Sequence, residues 1–465
     1  MQPQVGCLRR AGFFVVLSLM AGGLDAQVGP WPNPTAPESS QSELVRRAHA
    51  RARALERQQR YRVLVASAAM EGPSAPQPLQ VDTHQVLAGP PLIDPRADST
   101  RIEFIGPPLG EPFLMLGGAV RPGTRSRLLW NANQAYAGGE QLSPVIVTHG
   151  DRPGPVLCLT AGIHGDELNG VEIVRRISRD VSPERLAGTI VSVPIVNLFG
   201  FGRGSRYLPD RRDLNRFFPG SRFGSIASRI ADSFFENVIR RCDALVDFHT
   251  GSFERVNLPQ VRADLREPAV LEFTRGFGAV TVLHSEGSKG MLRVAAAKAG
   301  IPAVTFEVGG PGQLQAEEIG TGIQAILTLI HKLGMVRDAP EWLEPQPFFY
   351  ESRWVRSDSG GMLISDVKLG ERVVKGQLLG RVVDPLQDQE FELTSDVAGQ
   401  VIGMAQNQVV LPGYAVFHIG EATSERGAVD AAQSGAQQDV PYEEDAPSDR
   451  SVGRAADDTL DDEFE

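Results

Sequence analysis

Between residues 144 and 334 the sequence alternates short apolar runs of β type with segments of helical composition. The apolar runs cover Pro155–Ala161, Thr189–Pro194, Ala244–Phe248 and Ala303–Phe306, and helical segments begin at Glu167 and Ser225. Strands that alternate with helices predict an α/β domain built on a central sheet flanked by helices. We place this domain at residues 76–337, and its first part is a less regular lead-in of β type.

The region after residue 337 has a different pattern. A linker at residues 338–347 is followed by short strand-like segments separated by Gly turns, as in GGMLISDVKLGERVVKGQLLGRVVDP. Such a pattern predicts a small all-β domain, which we place at residues 348–421. A chain of 465 residues is too long for one ordinary domain, so a two-domain protein with tails agrees with its length.

The N-terminus has the pattern of a secretory signal peptide. Arg9 and Arg10 precede an apolar run at residues 11–24, and the small residue Ala26 follows it. We therefore predict a signal peptide at residues 1–26 and an exported protein, periplasmic or secreted. It would have no stable membrane insertion after cleavage, and an uncleaved N-terminal anchor is the alternative. Residues 27–75 are predicted to form a Pro-rich linker and an exposed amphipathic helix.

The net charge of -11 belongs to the C-terminus. Residues 421–465 contain 14 Asp and Glu against 3 Arg, so the remainder of the chain is formally neutral. A formally neutral body removes the electrostatic case for nucleic-acid binding, which requires a basic face, so no nucleic-acid partner is expected. The acidic stretch is poor in large apolar residues, and we predict a disordered tail at residues 422–465.

Cysteine content agrees with export but excludes a disulfide-rich scaffold. Of three cysteines, Cys7 lies in the predicted signal peptide, which leaves Cys158 and Cys242 in the mature chain. Cys158 falls inside an apolar run, and we expect it in the core.

Candidate metal ligands follow two of the predicted strands. His164 and Glu167 are three residues apart where a strand leads into a helix, so both side chains can point the same way. His249 follows another strand, at the sheet edge where α/β proteins bind ligands. Zinc in hydrolytic sites has three such ligands and one open position. Asp247 shares a face with His249 and is a candidate to orient it, although a plain strand-end hydrogen bond is an equal interpretation.

A third strand end supplies Glu307 in the segment PAVTFEVGG. An acid after an apolar run is costly to bury unless it has a partner or a function. We predict that Glu307 is the general base of a hydrolase. The alternative is a salt bridge to Arg or Lys at a sheet edge.

Arginine is concentrated in the loop NLFGFGRGSRYLPDRRDLNRFFPG, which suggests a small anionic substrate. Asn215 with Arg216 would form a compact clamp for a carboxylate. Arg211 and Arg212 are better explained as solvated loop residues.

The ordered motifs HGDE, RDLNR, DFHTG and FEVGG resemble the succinylglutamate desuccinylase/aspartoacylase family of zinc-carboxypeptidase-like hydrolases. The resemblance spans residues 120–420 and implies a mixed central sheet. It implies one Zn²⁺ per chain, general-base catalysis by Glu307, and oxyanion stabilisation by Arg206. The implied ligands are His164, Glu167 and His249, with Asn215 and Arg216 on the substrate carboxylate.

The resemblance also bears on the β domain and on Arg206. The β domain looks like the barrel-sandwich domain of lipoyl and biotinyl carriers, but it lacks a Met-Lys-Met type tip, so no covalent cofactor is expected. Arg206 precedes Arg216 by ten residues, a longer spacing than in the animal aspartoacylases.

We expect a zinc amidohydrolase or deacylase that cleaves an N-acyl amino acid or similar carboxylate through a metal-activated water. A periplasmic carboxypeptidase-like peptidase acting on cell-wall peptides needs the same residues and is the enzyme alternative. A non-catalytic protein that binds metal or ligand is the alternative from another class. The sequence does not choose the acyl group or the amine, and a homo-oligomer stays open.

Overall fold

The computed structural model describes residues 110–132, 142–337, 347–406 and 408–434. The predicted signal peptide, the linker with its helix and most of the acidic tail lie outside these ranges. None of the described helices is both long enough and apolar enough to cross a membrane.

Strands and helices alternate in the first part of the described chain, as the sequence predicts. Its strands are β1 Phe113–Met115, β2 Gly118–Val120, β3 Thr124–Asn131, β4 Leu142–His149, β5 Arg152–Thr160, β6 Ala187–Val193, β7 Ala244–His249, β8 Arg255–Ala263, β9 Thr281–His284 and β10 Ala303–Gly309. Its helices are α1 Leu168–Asp180, α2 Leu198–Phe201, α3 Ile226–Asn237, α4 Pro268–Thr274, α5 Leu292–Lys298 and α6 Ala316–Lys332.

Strands predominate after residue 347. They are β11 Phe348–Arg356, β12 Gly361–Ser365, β13 Arg372–Val373, β14 Leu378–Asp384, β15 Gln389–Thr394, β16 Gly399–Ala405, β17 Val409–Val410 and β18 Ala415–Thr423. One helix, α7 Glu425–Ser434, follows them. We call residues 348–423 the β-module.

The central sheet is mixed. Strands β6, β5, β7 and β10 are parallel neighbours, whereas β4 pairs antiparallel with β6 and β8 pairs antiparallel with β10. The carboxyl ends of the four parallel strands therefore meet along one edge. His164 follows β5, His249 ends β7 and Glu307 lies near the end of β10, so the topology brings the three predicted strand ends together.

Helix α1 shows how the packing places a site residue. It buries Ile173, Val174 and Ile177 against the sheet. A Cβ on Gly170 would lie 2.5 Å from the Phe248 Cβ, so only glycine allows α1 to approach β7 this closely. The N-cap residue Glu167 makes no side-chain hydrogen bond to its own helix, and its carboxylate is available for the site.

The β-module is all-β, as predicted, but it is not separate from the α/β region. Strand β11 pairs with β9 and strand β16 pairs with β8. Together with the β8–β9, β11–β18 and β16–β18 pairings, this closes a ring of five strands across the predicted boundary. The remaining strands form a four-stranded sheet in the order β15-β14-β12-β17.

The predicted start of the disordered tail at residue 422 is wrong. Strand β18 continues to Thr423, and helix α7 lies within the range predicted for the tail. Ala428 and Ala432 of α7 are buried, and Glu425 pairs with Arg275 at 2.6 Å. Small alanine side chains can pack closely without a large apolar face, so a composition poor in large apolar residues does not exclude this helix.

Cys158 is buried as expected, and it forms a disulfide with Cys242 that local sequence patterns do not predict. The Cα atoms are 5.7 Å apart, and the two cysteines are separated by 84 residues in sequence. The enclosed segment carries His164, Glu167 and the arginine-rich loop.

Candidate metal centre and active site

Three predicted ligands converge at the carboxyl edge of the sheet. Ligand atoms of His164, Glu167 and His249 all lie within 4.8 Å of one another, and the three residues are buried. The Nδ1 atom of His164 is 2.8 Å from one Glu167 carboxylate oxygen, and the Nδ1 atom of His249 is 2.9 Å from the other. The backbone N–H of Thr250 donates to Glu167 at 3.1 Å and helps to fix its carboxylate.

Each imidazole also contacts a carboxylate on its far side. His164 Nε2 lies 2.9 Å from Asp213, and His249 Nε2 lies 2.9 Å from Asp247. Asp247 in turn accepts a hydrogen bond from Thr160 at 2.7 Å. When Nε2 donates to a carboxylate, Nδ1 carries the lone pair, and this is the usual arrangement of a metal-binding histidine.

The pKa shifts follow the same balance of charge. Burial lowers the pKa of His249, but the Asp247 and Glu167 carboxylates raise it by more. The pKa of His249 is therefore well above its ordinary value. Burial raises the pKa of Glu167, but His164 and His249 lower it more. The Asp213 carboxyl is likewise held well below its usual pKa, because His164 and Arg206 outweigh its burial. The buried carboxylates therefore favour positive charge at the cluster centre.

The donor set fits a zinc ion. In the neutral tautomer in which both Nε2 atoms donate outward, the two Nδ1 atoms, which are 3.1 Å apart, and the Glu167 oxygens all offer lone pairs to a metal ion. Two imidazoles and one carboxylate, with a fourth position left for water or substrate, are the ligands of catalytic zinc sites.

Arg206 lies against this cluster. Its Nη1 donates to Glu167 at 3.1 Å and to His164 Nδ1 at 3.0 Å, and its Nη2 donates to Asp213 at 2.9 Å. The loop that carries Arg206 packs on the HGDE turn, where Gly165 N–H donates to the Ser205 carbonyl at 3.0 Å. A Cβ on Gly165 would lie 1.9 Å from a backbone carbon of Gly200, so this approach requires glycine.

Asn215 and Arg216 lie on the same loop beside the cluster. Asn215 is buried, its Nδ2 is 3.5 Å from His249 Nε2, and its Oδ1 accepts from the Leu292 N–H at 2.8 Å. Arg216 is partly exposed and donates to the Asn215 carbonyl at 3.0 Å. The structure thus brings both clamp residues to the site. Arg211 and Arg212, expected to be solvated, are exposed.

Glu307 lies on the strand next to His249 and in register with it. Paired residues on adjacent strands share a face, and adjacent strands are about 4.8 Å apart. The Glu307 carboxylate accepts from Asn257 Nδ2 at 3.1 Å and lies 3.5 Å from Arg262 Nη1. The structure therefore shows the basic partner of the salt-bridge interpretation, and it places Glu307 on the same face of the sheet as His249.

Several residues of the site have little or no signal in the local sequence. Asp213 contacts His164 and Arg206, and the only sequence signal for it was its position between arginines in the motif RDLNR. Asn257 and Arg262 hold Glu307, but they come from β8, which no apolar run in the sequence predicts. Contacts of this kind depend on strand order, which local patterns do not encode.

The fold and the cluster define an α/β protein with a His-Glu-His cluster that could hold a metal ion, and comparisons with known proteins identify its family. The model of the succinylglutamate desuccinylase/aspartoacylase catalytic domain matches residues 153–333. The N-alpha-acetyl-L-2,4-diaminobutyric acid deacetylase of Halomonas elongata is 30% identical over 268 residues, which are 54% of this chain and 77% of the relative.

Solved structures give the same result. The product-bound ectoine utilization protein EutE (DoeB) from Ruegeria pomeroyi has a TM-score of 0.59 at 27% identity, covering 67% of this chain and 98% of its own. A succinylglutamate desuccinylase/aspartoacylase from Rhodobacter sphaeroides has a TM-score of 0.59 at 24% identity, covering 64% of this chain and 96% of its own, and shows the shared fold. The chain belongs to the succinylglutamate desuccinylase/aspartoacylase family.

Proposed function

We propose that this chain is a zinc-dependent deacylase that hydrolyses the amide bond of an N-acyl amino acid. The observation that carries the proposal is the convergence of His164, Glu167 and His249, with Glu307 in register beside His249. The deacetylase name of the Halomonas elongata relative supports an amide substrate of this type.

The chain's own residues would divide the work as follows. Zinc, when bound, supplies a Lewis acid that polarises the substrate carbonyl and activates water. Glu307, held by Asn257 and Arg262, takes the proton of the attacking water and returns it to the leaving amine. Arg206 stabilises the negative charge that develops on the carbonyl oxygen.

Substrate binding is assigned to the arginine-rich loop. Arg216, which is partly exposed beside buried Asn215, is placed to bind the substrate carboxylate. A small anionic N-acyl amino acid is therefore the proposed ligand.

We also propose that the protein is exported, as its N-terminal sequence indicates. The Cys158–Cys242 disulfide supports this location, because disulfides persist in oxidising compartments. Fusing residues 1–30 to a reporter that is active only after export tests this proposal, and a reporter retained in the cytosol would contradict it.

The proposal extends to a barrel-sandwich, lipoyl-like architecture for the β-module. It is supported by one apolar core that both of its sheets share. Leu363, Leu379 and Val382 of the four-stranded sheet pack in the same cluster as Val401 and Phe417.

Metal analysis and a substrate panel test the proposed function together. We expect purified protein to contain about one zinc per chain. Zinc-loaded protein should release amine from N-acetyl and N-succinyl amino acids, and its chelated form should not. Cleavage of cell-wall peptides alone would favour the peptidase instead. Zinc without turnover on any substrate would favour a binding protein, and no zinc after reconstitution would overturn the proposal.

A further inference from the structure

The loop between β7 and β8 has an unusual backbone. Phe253 has a φ of 54° and Glu254 has a φ of 60°, so two consecutive residues other than glycine adopt the left-handed conformation. Such conformations are disfavoured for residues with side chains, and they persist where the surrounding structure holds them. The loop follows the proposed ligand His249 closely in sequence.

The β-module holds this loop. The Tyr414 hydroxyl donates to the Phe253 carbonyl, and the backbone N–H of Gln406 donates to the Glu254 carbonyl at 3.0 Å. The Arg255 guanidinium, immediately after the loop, lies 5.0 Å from the Tyr414 ring and 5.1 Å from the Trp354 ring. The backbone carbonyls of both left-handed residues thus accept hydrogen bonds from groups of the β-module.

The loop in turn places an aromatic ring on Arg206. The Phe253 ring centre lies 5.4 Å from the guanidinium carbon of Arg206, within the range of a cation–π contact. The guanidinium nitrogens are bound by Glu167 and Asp213, and Arg206 is only 6% exposed. A guanidinium that contacts an aromatic ring and is also bound by two carboxylates has a restricted orientation.

We propose that Phe253 is a positioning residue for Arg206 and that Tyr414 of the β-module keeps it in place. The proposal rests on the proposed function, in which Arg206 stabilises charge that develops only in the transition state. Positive charge helps most when it is already oriented before that charge appears. Loss of the ring should therefore lower kcat and leave KM nearly unchanged.

Kinetics of the full-length, zinc-loaded protein test this. We expect Phe253→Leu to lower kcat about tenfold with less than about a twofold change in KM, and Phe253→Tyr, which keeps the ring, to restore most of the rate. Tyr414→Phe should also lower kcat, but by less than Phe253→Leu. Phe223→Leu is the matched control, because it removes an exposed ring 4.7 Å from Arg222 and should change nothing. Zinc content should stay at the wild-type value throughout.

Crystal structures of the variants give a readout that does not need activity. Arg206 should keep one side-chain conformation in the wild type and in Phe253→Tyr, and should adopt others in Phe253→Leu. An unchanged Arg206 with wild-type kcat in Phe253→Leu would overturn the proposal, as would a rise in KM alone. If the wild type hydrolyses none of the substrates, the proposed function fails, and the conformation of Arg206 still decides the positioning role.

Discussion

At the scale of single residues, the site is a network of buried charges that stabilise one another. Asp213 illustrates this, since one carboxylate accepts from Arg206, contacts His164 and caps the turn at Leu214–Arg216 by accepting from the Asn215 N–H. Removing one member of such a network leaves its partners buried and unpaired, which costs more than the contact itself contributes. Substitutions that preserve shape are therefore the most informative.

Glu307→Gln keeps the shape of the proposed base and removes its ability to take a proton. We expect kcat to fall by at least about a hundredfold, because general-base catalysis contributes about 10²–10⁴-fold. Zinc content should not change, since Glu307 is not among the three clustered ligands. Steady-state kinetics and metal analysis check this, with the exposed Glu317→Gln on α6 as the control. Undiminished turnover would exclude Glu307 as the base.

His284 gives a prediction about pH. Burial lowers its pKa to about 4, and its Nδ1 accepts from the Leu265 N–H at 3.1 Å. Because the unfolded chain binds this proton more readily, the stability that neutral His284 contributes is lost as pH falls from about 6.5 through about 4. His284→Asn retains an acceptor but does not titrate, so its unfolding free energy should decline less over this range.

Denaturant unfolding of both proteins across this pH range provides the measurement. The two proteins are compared by the slope of the unfolding free energy against pH. Absolute values are not compared, because the smaller Asn side chain also changes packing. His331→Asn, at a partly buried position on α6, serves as the control. Parallel declines in wild type and His284→Asn would show that this histidine does not contribute to the acid sensitivity.

At the scale of elements, the loops at the carboxyl edge depend on the strands that carry them. The disulfide fastens Cys158 of β5 to Cys242, just before β7, and these strands lead to His164 and His249 respectively. It closes a long stretch of chain that contains the arginine-rich loop. Cross-links of this kind stabilise mainly by restricting the unfolded chain.

Replacing both cysteines by alanine should lower the unfolding free energy by about 2–4 kcal/mol, the typical contribution of a disulfide. The native fold and the bound zinc should persist in the variant, because the cysteines do not belong to the metal cluster. Thermal unfolding with and without reductant measures the effect, and reductant should shift the wild type but not the double variant. Two free thiols in unreduced, unfolded protein would contradict the pairing.

At the scale of the whole molecule, the ring of five strands joins the α/β region to the β-module. Strand β8 pairs with β10, which carries Glu307, and also with β9 and β16. Backbone hydrogen bonds thus cross the boundary that the sequence suggested. The β-module and the α/β region should therefore unfold together.

Calorimetry tests this coupling through a change confined to the β-module. Leu379 is fully buried there, and Leu379→Ala should destabilise the protein by about 2–4 kcal/mol. We expect one transition that moves to lower temperature as a whole, whereas Leu386→Ala, at a 94% exposed position, should leave it in place. A separate, earlier transition for Leu379→Ala would show that the two parts unfold independently.

Local sequence patterns were enough to identify the α/β alternation, the β-rich C-terminal region and the three metal-ligand candidates. The apolar runs correspond to β5, β6, β7 and β10, and helices α1 and α3 begin beside the predicted Glu167 and Ser225. These features are local, because the period of apolar residues and the residues at strand ends lie within short windows.

Only the tertiary structure decided which residues support the ligands and how the β-module is attached. Asp213 reaches His164 across 49 residues, and the Tyr414 hydroxyl reaches the Phe253 carbonyl across 161. Such contacts depend on strand order and on the path of loops, which no short window of sequence contains. The ligands of the proposed zinc site could thus be chosen from the sequence, whereas the groups that orient them follow from long-range packing.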